Sequence, residues 1–360
     1  GDALERAPRE GGFLKLMREG AWMTEAHHEH VPTETGPGHA ALATGQPPSA
    51  HGVIGNDWYD RKTGAEVYCV DDSVHGKGPQ NLEAYTLGDA LKAAVPKAKV
   101  VAVSVKDRAA ILPAGHRGDI AIWMDKKSGR FTSSSYYRQT DWLAKFNEKR
   151  VEPWLKTIDG RERVRTDRAD GLTLELALEA VAREKLGSDD ETDLLSVSLS
   201  ALDYIGHFHG SETPEYNAHL QFLDRALAGF FETLEKKVGK GKVSLAFSAD
   251  HGAPPGVGPT RLHIEELGAK IERALQDNMR AKAPWVLSNL HPHFYLNRAQ
   301  AEASGMPWKE FLARAAQIIA KLPGVGFVHI PESPNPKEPL AARVEMSLYP
   351  GRSGDLIVSV

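Results

Sequence analysis

The chain has 360 residues, 41% of them hydrophobic, which is enough for one large domain or two smaller ones. Its formal net charge of −4 gives no basic surface for nucleic acid, and no apolar run approaches the roughly 18 residues that cross a bilayer. The single cysteine, Cys69, excludes an internal disulfide and a cysteine-rich zinc site.

Helices and strands are predicted to alternate from the N-terminal end of the sequence. Short helices are predicted for "GGFLKLMREG", ending at Gly20, and for "HAALATG", which follows a Gly-Pro-Gly turn and ends at Gly45. Apolar residues at helical spacing in "NLEAYTLGDALKAAVP" predict a helix that stops at Pro96. The β-branched and apolar runs at 99–105 and 119–124 are typical of buried parallel strands.

The same alternation continues in the second half of the chain. "GLTLELALEAVAREKLG" predicts a helix closed by Gly187, and "DLLSVSLSALD" a strand that runs into Asp203. The long amphipathic segment "YNAHLQFLDRALAGFFETLEKKVG" is followed by a predicted strand at 243–249. This order predicts an α/β fold with a doubly wound, mostly parallel sheet and helices on both faces. Two stretches fit the order poorly, 107–170 and about 254–350, and are predicted to be insertions over the carboxyl edge of the sheet.

Two acid–histidine pairs follow predicted buried strands. Asp203 and His207 are four residues apart, so they can converge on one ion. Asp250 and His251 follow the strand at 243–249, and Gly252 permits the bend that lets both side chains face one site. Either pair alone can arise by chance, but two such pairs in equivalent places indicate a metal site.

Five motifs occur in the order found in the alkaline phosphatase superfamily: "TGPGH" at 35–39, "HGVIGNDWYD", "VSVKDR", "ALDYIGH" and "SADHG". The sequence most resembles the phosphate-irrepressible alkaline phosphatases of this superfamily, which are related to the nucleotide pyrophosphatase/phosphodiesterases. The resemblance covers essentially the whole chain. It implies an alkaline phosphatase-like core with cap insertions, and a periplasmic or secreted enzyme.

The resemblance also implies a site with two zinc ions and a threonine nucleophile. One zinc is bound by Asp203 and His207, and the other by Asp250, His251 and Thr35. Zinc and the amides of the helix that follows would activate the Thr35 hydroxyl, which becomes phosphothreonine during turnover.

A threonine at a helix start is often only an N-cap, and physical reasoning alone does not separate Thr33 from Thr35. Thr35 is selected by the resemblance, because the nucleophile directly precedes Gly-Pro-Gly-His. His39 has no metal role in that pattern and is interpreted as structural.

Three further residues are implied in phosphate binding: Asn56, Lys106 and Arg108. Two cations and an amide suit the dianion of a phosphate monoester, and arginine can bind two of its oxygens at once. The alternative interpretation is a solvated, charged turn.

Two zinc ligands of the family pattern have no counterpart in the sequence. The pattern places an aspartate on a first strand before the chain begins and a histidine beyond "RSGDLIVSV"; Asp2 is a poor substitute for the former. His291 and His293 are interpreted as structural. Residues 1–360 are therefore predicted to be one catalytic domain that lacks the first strand and the C-terminal part.

The predicted function is hydrolysis of small-molecule phosphate monoesters, with no nucleic-acid partner and no membrane span. A nucleotide pyrophosphatase/phosphodiesterase is the first alternative, which would have no use for Lys106 and Arg108. The second alternative is an inactive zinc-binding chain, because two expected ligands are missing.

Overall fold

The computed structural model describes residues 11–158, 163–253, 264–337 and 340–360. Asp2 and residues 254–263, which follow the Asp250-His251-Gly252 motif, lie outside the described residues. In chain order the α-helices are α1 (Gly12–Glu19), α2 (Thr35–Thr44), α3 (Pro48–His51), α4 (Leu87–Ala94), α5 (Asp107–Ala114), α6 (Leu143–Phe146), α7 (Glu152–Leu155), α8 (Asp167–Glu184), α9 (Ala201–His209), α10 (Pro214–Val238), α11 (Ile264–Asn278), α12 (Arg298–Ala303), α13 (Trp308–Ile319) and α14 (Ala341–Glu345).

The strands of the described residues are short and fall into four sheets. In chain order they are β1 (Asp57–Asp60), β2 (Ala65–Tyr68), β3 (Asp71–Asp72), β4 (Gly76–Lys77), β5 (Val100–Ser104), β6 (Ile120–Met124), β7 (Phe131–Thr132), β8 (Leu194–Ser198), β9 (Val286–Leu290), β10 (His293–Leu296), β11 (Phe327–His329) and β12 (Leu356–Ser359).

The chain divides into two compact units, and it passes from one to the other several times. Unit 1 lies within the bounds Gly1–His28, Gly38–Gly45 and Val70–Val257, and unit 2 within Glu29–Pro37, Gln46–Cys69 and Gly258–Val360. The single catalytic domain and the insertion boundaries expected from the sequence stay predictions.

Unit 1 is built around a mixed sheet with the strand order β7-β6-β5-β8. β5 runs parallel to both β6 and β8, whereas β7 pairs antiparallel with β6 at one edge. Every residue of β5 and β6 is buried. The core joins alternate residues of the strands to the inner faces of the helices, for example Val101 and Val103 to Leu172 and Leu176 of α8. The two buried strands predicted at 99–105 and 119–124 are therefore confirmed.

Most predicted helices of unit 1 are confirmed, with changes at their first residues. α1 ends before Gly20 and α2 before Gly45, as predicted. The Gly-Pro-Gly segment, however, belongs to α2 rather than to a turn, since proline fits the first turn, where its missing N–H has no helical partner anyway. α4 begins later than predicted because Thr86 and Asp89 form a reciprocal capping box there.

One strand prediction was confirmed except for where the strand ends, and another was wrong. β8 ends at Ser198, so Asp203 does not follow a strand directly but lies in the first turn of α9. Residues 243–249 form no strand, and most of them are exposed. A strand needs a neighbour for its N–H and C=O groups, and this stretch is in no ladder with the part of the chain that the structure describes.

Unit 2 has its own antiparallel sheet and its own core. The strand order is β11-β12-β10-β9, and the β1–β2 hairpin from the first part of the chain also belongs to this unit. Trp285 stacks on Phe311 of α13 with ring centroids 4.8 Å apart, and both are fully buried beside Leu267 and Phe294. Much of the stretch predicted as an insertion at 254–350 thus forms a core of its own.

Candidate active site

The first acid–histidine pair lies on α9 of unit 1. Asp203 and His207 are one helical turn apart, which brings Asp203 Oδ1 to 3.3 Å from His207 Nε2. His207 is largely exposed, while the Asp203 side chain is mostly buried. The two side chains of this pair therefore meet on a helix and not at a strand end, and their binding of one metal ion stays a prediction.

The second pair converges on the first. His251 Nε2 lies 3.5 Å from Asp250 Oδ2 and 3.4 Å from Asp203 Oδ1, so one histidine contacts both aspartates. Asp250 is also contacted by His39, whose Nδ1 is 3.2 Å from Asp250 Oδ2. The other ring nitrogen of His39 lies 2.9 Å from Ser198 Oγ, at the end of β8. Sequence reasoning treated His39 as structural and missed its contact with Asp250.

Lys106 joins the same cluster. It directly precedes α5, it is 4% exposed, and its ammonium Nζ lies 2.5 Å from Asp203 Oδ2. The Tyr204 ring covers the same ammonium at 4.9 Å. Burial lowers the pKa of Lys106, and the charge of Asp203 opposes this shift. Arg108 lies in the first turn of α5, where Asp107 Oδ1 accepts its backbone N–H at 2.8 Å.

Both aspartates are held as carboxylates. Burial raises the pKa of Asp203, but the hydrogen bond from His207 and the charge of Lys106 outweigh it, so that the net shift is downward. Burial likewise raises the pKa of Asp250, and contacts with His39 and His251 outweigh it, so that this pKa is also lowered. The cluster thus offers anionic oxygens and imidazole nitrogens in close proximity.

These donors suit zinc in type and in spacing. Two donors bound at about 2.0–2.1 Å to one tetrahedral ion lie roughly 3.3–3.4 Å apart. The oxygen–nitrogen separations within the Asp203–His207 and Asp250–His251 pairs are 3.3 Å and 3.5 Å. Among the described residues no group of three or more histidine, cysteine, aspartate or glutamate side chains is arranged to hold one ion, so the structure presents these donors as pairs.

The predicted nucleophile and the predicted phosphate-binding asparagine come together in unit 2. Thr35 is the first residue of α2 and is 3% exposed, whereas Thr33 is exposed and lies two residues before the helix. The next amide, Gly36 N–H, donates to Asn56 Oδ1 at 2.8 Å. Because the oxygen of the Asn56 amide is used in this way, its NH₂ group is the part that can donate to a phosphate oxygen.

Glu34 is a further residue of this arrangement that the sequence reasoning missed. Its carboxylate accepts the backbone N–H of Asn56 at 2.9 Å, and the Asn56 carbonyl accepts the N–H of Cys69 at 2.8 Å. The only sequence signal for Glu34 is an acidic residue directly before a helix start. The backbone N–H and the backbone carbonyl of Asn56 are therefore both held by hydrogen bonds.

The candidate residues belong to different units. Thr35 and Asn56 belong to unit 2, and the cluster around Asp203 and Asp250 belongs to unit 1. His293 lies at the start of β10, is 2% exposed, and accepts the Gly354 N–H through Nδ1. This contact agrees with the structural role predicted for it.

Known proteins resemble the chain over almost its entire length. The family pattern described as "Type I phosphodiesterase / nucleotide pyrophosphatase" matches residues 2–360. The alkaline phosphatase PafA of Elizabethkingia meningoseptica is 34% identical, over 96% of this chain and 76% of its own length. The crystal structure of wild-type PafA superposes with a TM-score of 0.91 at 30% identity, over 99% of this chain and 82% of that chain.

A second crystal structure is of a PafA variant in which one threonine, one asparagine, one lysine and one arginine are substituted. It superposes with a TM-score of 0.88 at 29% identity, over 99% of this chain and 82% of that one. These two likenesses confirm the predicted α/β, alkaline phosphatase-like fold. None of the described helices is both long and apolar enough to span a bilayer.

Proposed function

Because the chain belongs to the type I phosphodiesterase / nucleotide pyrophosphatase family, we propose that it hydrolyses phosphate monoesters of small molecules through a phosphothreonine intermediate at a two-zinc site. Its membership of the alkaline phosphatase superfamily and its class, an alkaline phosphatase-like enzyme, are confirmed by the relatives. The observation that carries the finer proposal is the convergence of Asp203, His207, Asp250 and His251 in unit 1.

Thr35 is the proposed nucleophile. Its hydroxyl oxygen bonds to phosphorus as the ester oxygen leaves with a proton, and water then cleaves phosphothreonine to release inorganic phosphate. Asp203 with His207, and Asp250 with His251 and Thr35, would hold two zinc ions, whose Lewis acidity would favour the ionised forms of the attacking and leaving oxygens. The amides at the start of α2 favour negative charge beside Thr35.

The phosphoryl oxygens are proposed to be held by Asn56, Lys106 and Arg108. The NH₂ group of Asn56 donates one hydrogen bond, and Lys106 and Arg108 supply positive charge. The PafA variant supports this assignment: the spacing of its substituted threonine and asparagine equals that of Thr35 and Asn56, and its lysine and arginine are two positions apart, as are Lys106 and Arg108. The relatives' resemblance also favours a periplasmic or secreted location.

Replacing the nucleophile tests the mechanism. We expect Thr35→Ala to abolish turnover of an aryl phosphate while zinc, measured by elemental analysis, stays bound, because the aspartates and histidines remain. Brief acid quenching of the wild type with labelled substrate should trap phosphate on Thr35. Turnover at the wild-type rate in Thr35→Ala, or phosphate trapped on another residue, contradicts the assignment.

The second candidate function is a phosphodiesterase, which the description of the matching family favours. The two are separated by Arg108→Ala, which we expect to lower kcat/KM for an aryl phosphate monoester by about 10²–10³-fold and for a diester far less. The matched control is Arg117→Ala, an exposed arginine beyond the other end of α5. Equal losses on both substrates would favour the diesterase, and zinc binding without activity on either would favour an inactive zinc-binding chain.

A further inference from the structure

The helix that carries Asp203 and His207 has no cap of its own. The residue before α9, Ser200, makes no side-chain hydrogen bond to the first turn. The first amides of a helix have no partner inside it, and leaving them unpaired in a buried place is costly. Here a residue from another helix, Asp170 of α8, accepts both the Ser200 N–H at 2.9 Å and the Ala201 N–H at 3.1 Å through Oδ1.

Asp170 is in turn held by a buried histidine. Its second oxygen, Oδ2, lies 2.9 Å from Nε2 of His219 on α10, and the side chains of Asp170 and His219 are 0% and 1% exposed. The other ring nitrogen of His219 lies 2.6 Å from Asp167 Oδ1. Burial lowers the pKa of His219, but the two aspartates outweigh it and raise the pKa on balance. Three helices, α8, α9 and α10, therefore meet in one ionic network, which is buried at Asp170 and His219 and reaches the surface at Asp167.

Such a network is a weak source of stability. Removing a carboxylate from water is costly, and well-packed apolar residues of similar volume often replace a buried ion pair without loss. An apolar replacement of Asp170, however, supplies no hydrogen-bond acceptor for the amides of Ser200 and Ala201, so it does not fix where the helix begins. Asp203 follows those amides within the same helical turn, and His207 is one turn further.

We infer that Asp170 and His219 are positioning residues that fix the start of α9, and thereby the place at which Asp203 and His207 are presented to one metal ion. Neither residue contacts the site directly. The inference rests on the proposed function, because it assumes that Asp203 and His207 bind zinc. It predicts that damage to the network weakens the zinc site of Asp203 and His207 more than that of Asp250 and His251.

The test compares Asp170→Ala, Asp170→Asn and Thr86→Ala. The first removes the acceptor of both amides, and the second keeps an oxygen that can accept them. Thr86→Ala removes the cap of α4 elsewhere in unit 1, which costs a comparable amount of stability without touching α9. Zinc affinity is measured by chelator competition, and hydrogen exchange of the α9 amides is measured on the metal-free protein.

In Asp170→Ala we expect faster exchange at the start of α9 and a loss of about 10–100-fold in the affinity for one zinc of two. Asp170→Asn should recover most of both, and Thr86→Ala should change neither. Should Asp170→Ala fail to fold, His219→Leu, which leaves Asp170 without its partner, replaces it in the comparison with the same expected pattern.

Equal weakening of both zinc sites, or loss of affinity in Thr86→Ala to the same extent, overturns the inference and makes the network merely structural. Unchanged affinities in a folded Asp170→Ala overturn it as well. A wild-type protein that binds no zinc overturns the proposed function together with this inference. A wild type that binds two zinc ions without a selective loss in the variant overturns this inference alone.

Discussion

At the level of single residues, the position of Asp250 depends on Gly38, because only a residue without a side chain fits beside the Asp250 backbone. A Cβ added at Gly38 would lie 2.1 Å from the Asp250 carbonyl oxygen, far inside van der Waals contact. The sequence suggested that the glycines of "TGPGH" serve a turn, whereas the structure places them in a helix, where glycine is unfavourable. The close approach of the Asp250 backbone gives the physical reason for a glycine at this place.

Gly38→Ala is therefore expected to move Asp250 or the helix, and to cost about 1–3 kcal/mol of unfolding free energy. Its zinc content should fall, since Asp250 is a proposed ligand. Gly229→Ala is the matched control: Gly229 lies within α10, where an added Cβ meets nothing within 4 Å, so alanine should stabilise the helix by up to about 1 kcal/mol. Urea unfolding and elemental analysis measure both effects. Equal stability of the two variants would contradict the packing argument.

At the scale of helices and strands, prediction from sequence succeeded where a local pattern decides the outcome. The apolar runs at 99–105 and 119–124 predicted β5 and β6 because fully buried parallel strands need continuous apolar residues. A similar run at 243–249 was misleading, since a strand also requires a neighbour, which composition does not reveal. The candidate site was predictable from spacing within motifs, such as Asp203 to His207. The cap of α9 by Asp170 was not, because its donor and acceptor lie 30 and 31 residues apart.

Two buried histidines at element ends in unit 2 predict a sensitivity to acid. Burial lowers the pKa of His51, at the end of α3, to about 3, and that of His293, at the start of β10, to about 4. At a pH between these pKa values and the ordinary 6.5, the two histidines are protonated in the unfolded chain and neutral in the folded chain. The free energy of unfolding should thus be unaffected by these groups above pH 6.5 and fall by about 1.4 kcal/mol per pH unit for each histidine below it.

Urea unfolding at pH 7 and pH 5 measures this effect. In His51→Gln the difference between the two pH values should shrink by about 2 kcal/mol, because one such group no longer titrates. His27→Gln, at a largely exposed histidine, should leave the difference as it is in the wild type. An undiminished difference in His51→Gln would show that this histidine is protonated in the folded protein.

At the scale of the whole molecule, neither unit is a continuous piece of chain. Unit 2 takes Glu29–Pro37 and Gln46–Cys69 in addition to its C-terminal part. These early segments are bonded to late ones: Arg61 pairs with Asp355 at 2.9 Å, and Arg352 donates to the Gly52 carbonyl at 2.7 Å. The two parts of unit 2 depend on each other for their polar partners.

A fragment of residues 258–360 alone is accordingly expected to unfold without a sharp transition. Asp355 would lose its ion pair with Arg61, and Arg352 its hydrogen bond to the Gly52 carbonyl, at about 0.5–1.5 kcal/mol for each interaction lost. Supplying 46–69 through a flexible linker should restore part of the cooperativity, and the same linker joined to a scrambled 46–69 should not. Circular dichroism during thermal unfolding distinguishes the two linked fragments. A sharp transition in the unlinked fragment would show that the early segments are dispensable.

The exposed stretch at 243–249 has a consequence for the protein in solution rather than for its chemistry. Leu245 and Phe247 are 42% and 48% exposed within a run of residues that pairs with no described strand. An unpaired, apolar segment of this kind is a template on which another copy of the same segment can add. The light scattered per milligram of purified protein should increase as its concentration rises. Leu245→Lys should suppress this increase, because every copy of the segment then carries a charge. The upper limit on usable concentration is then set by a surface that takes no part in binding phosphate.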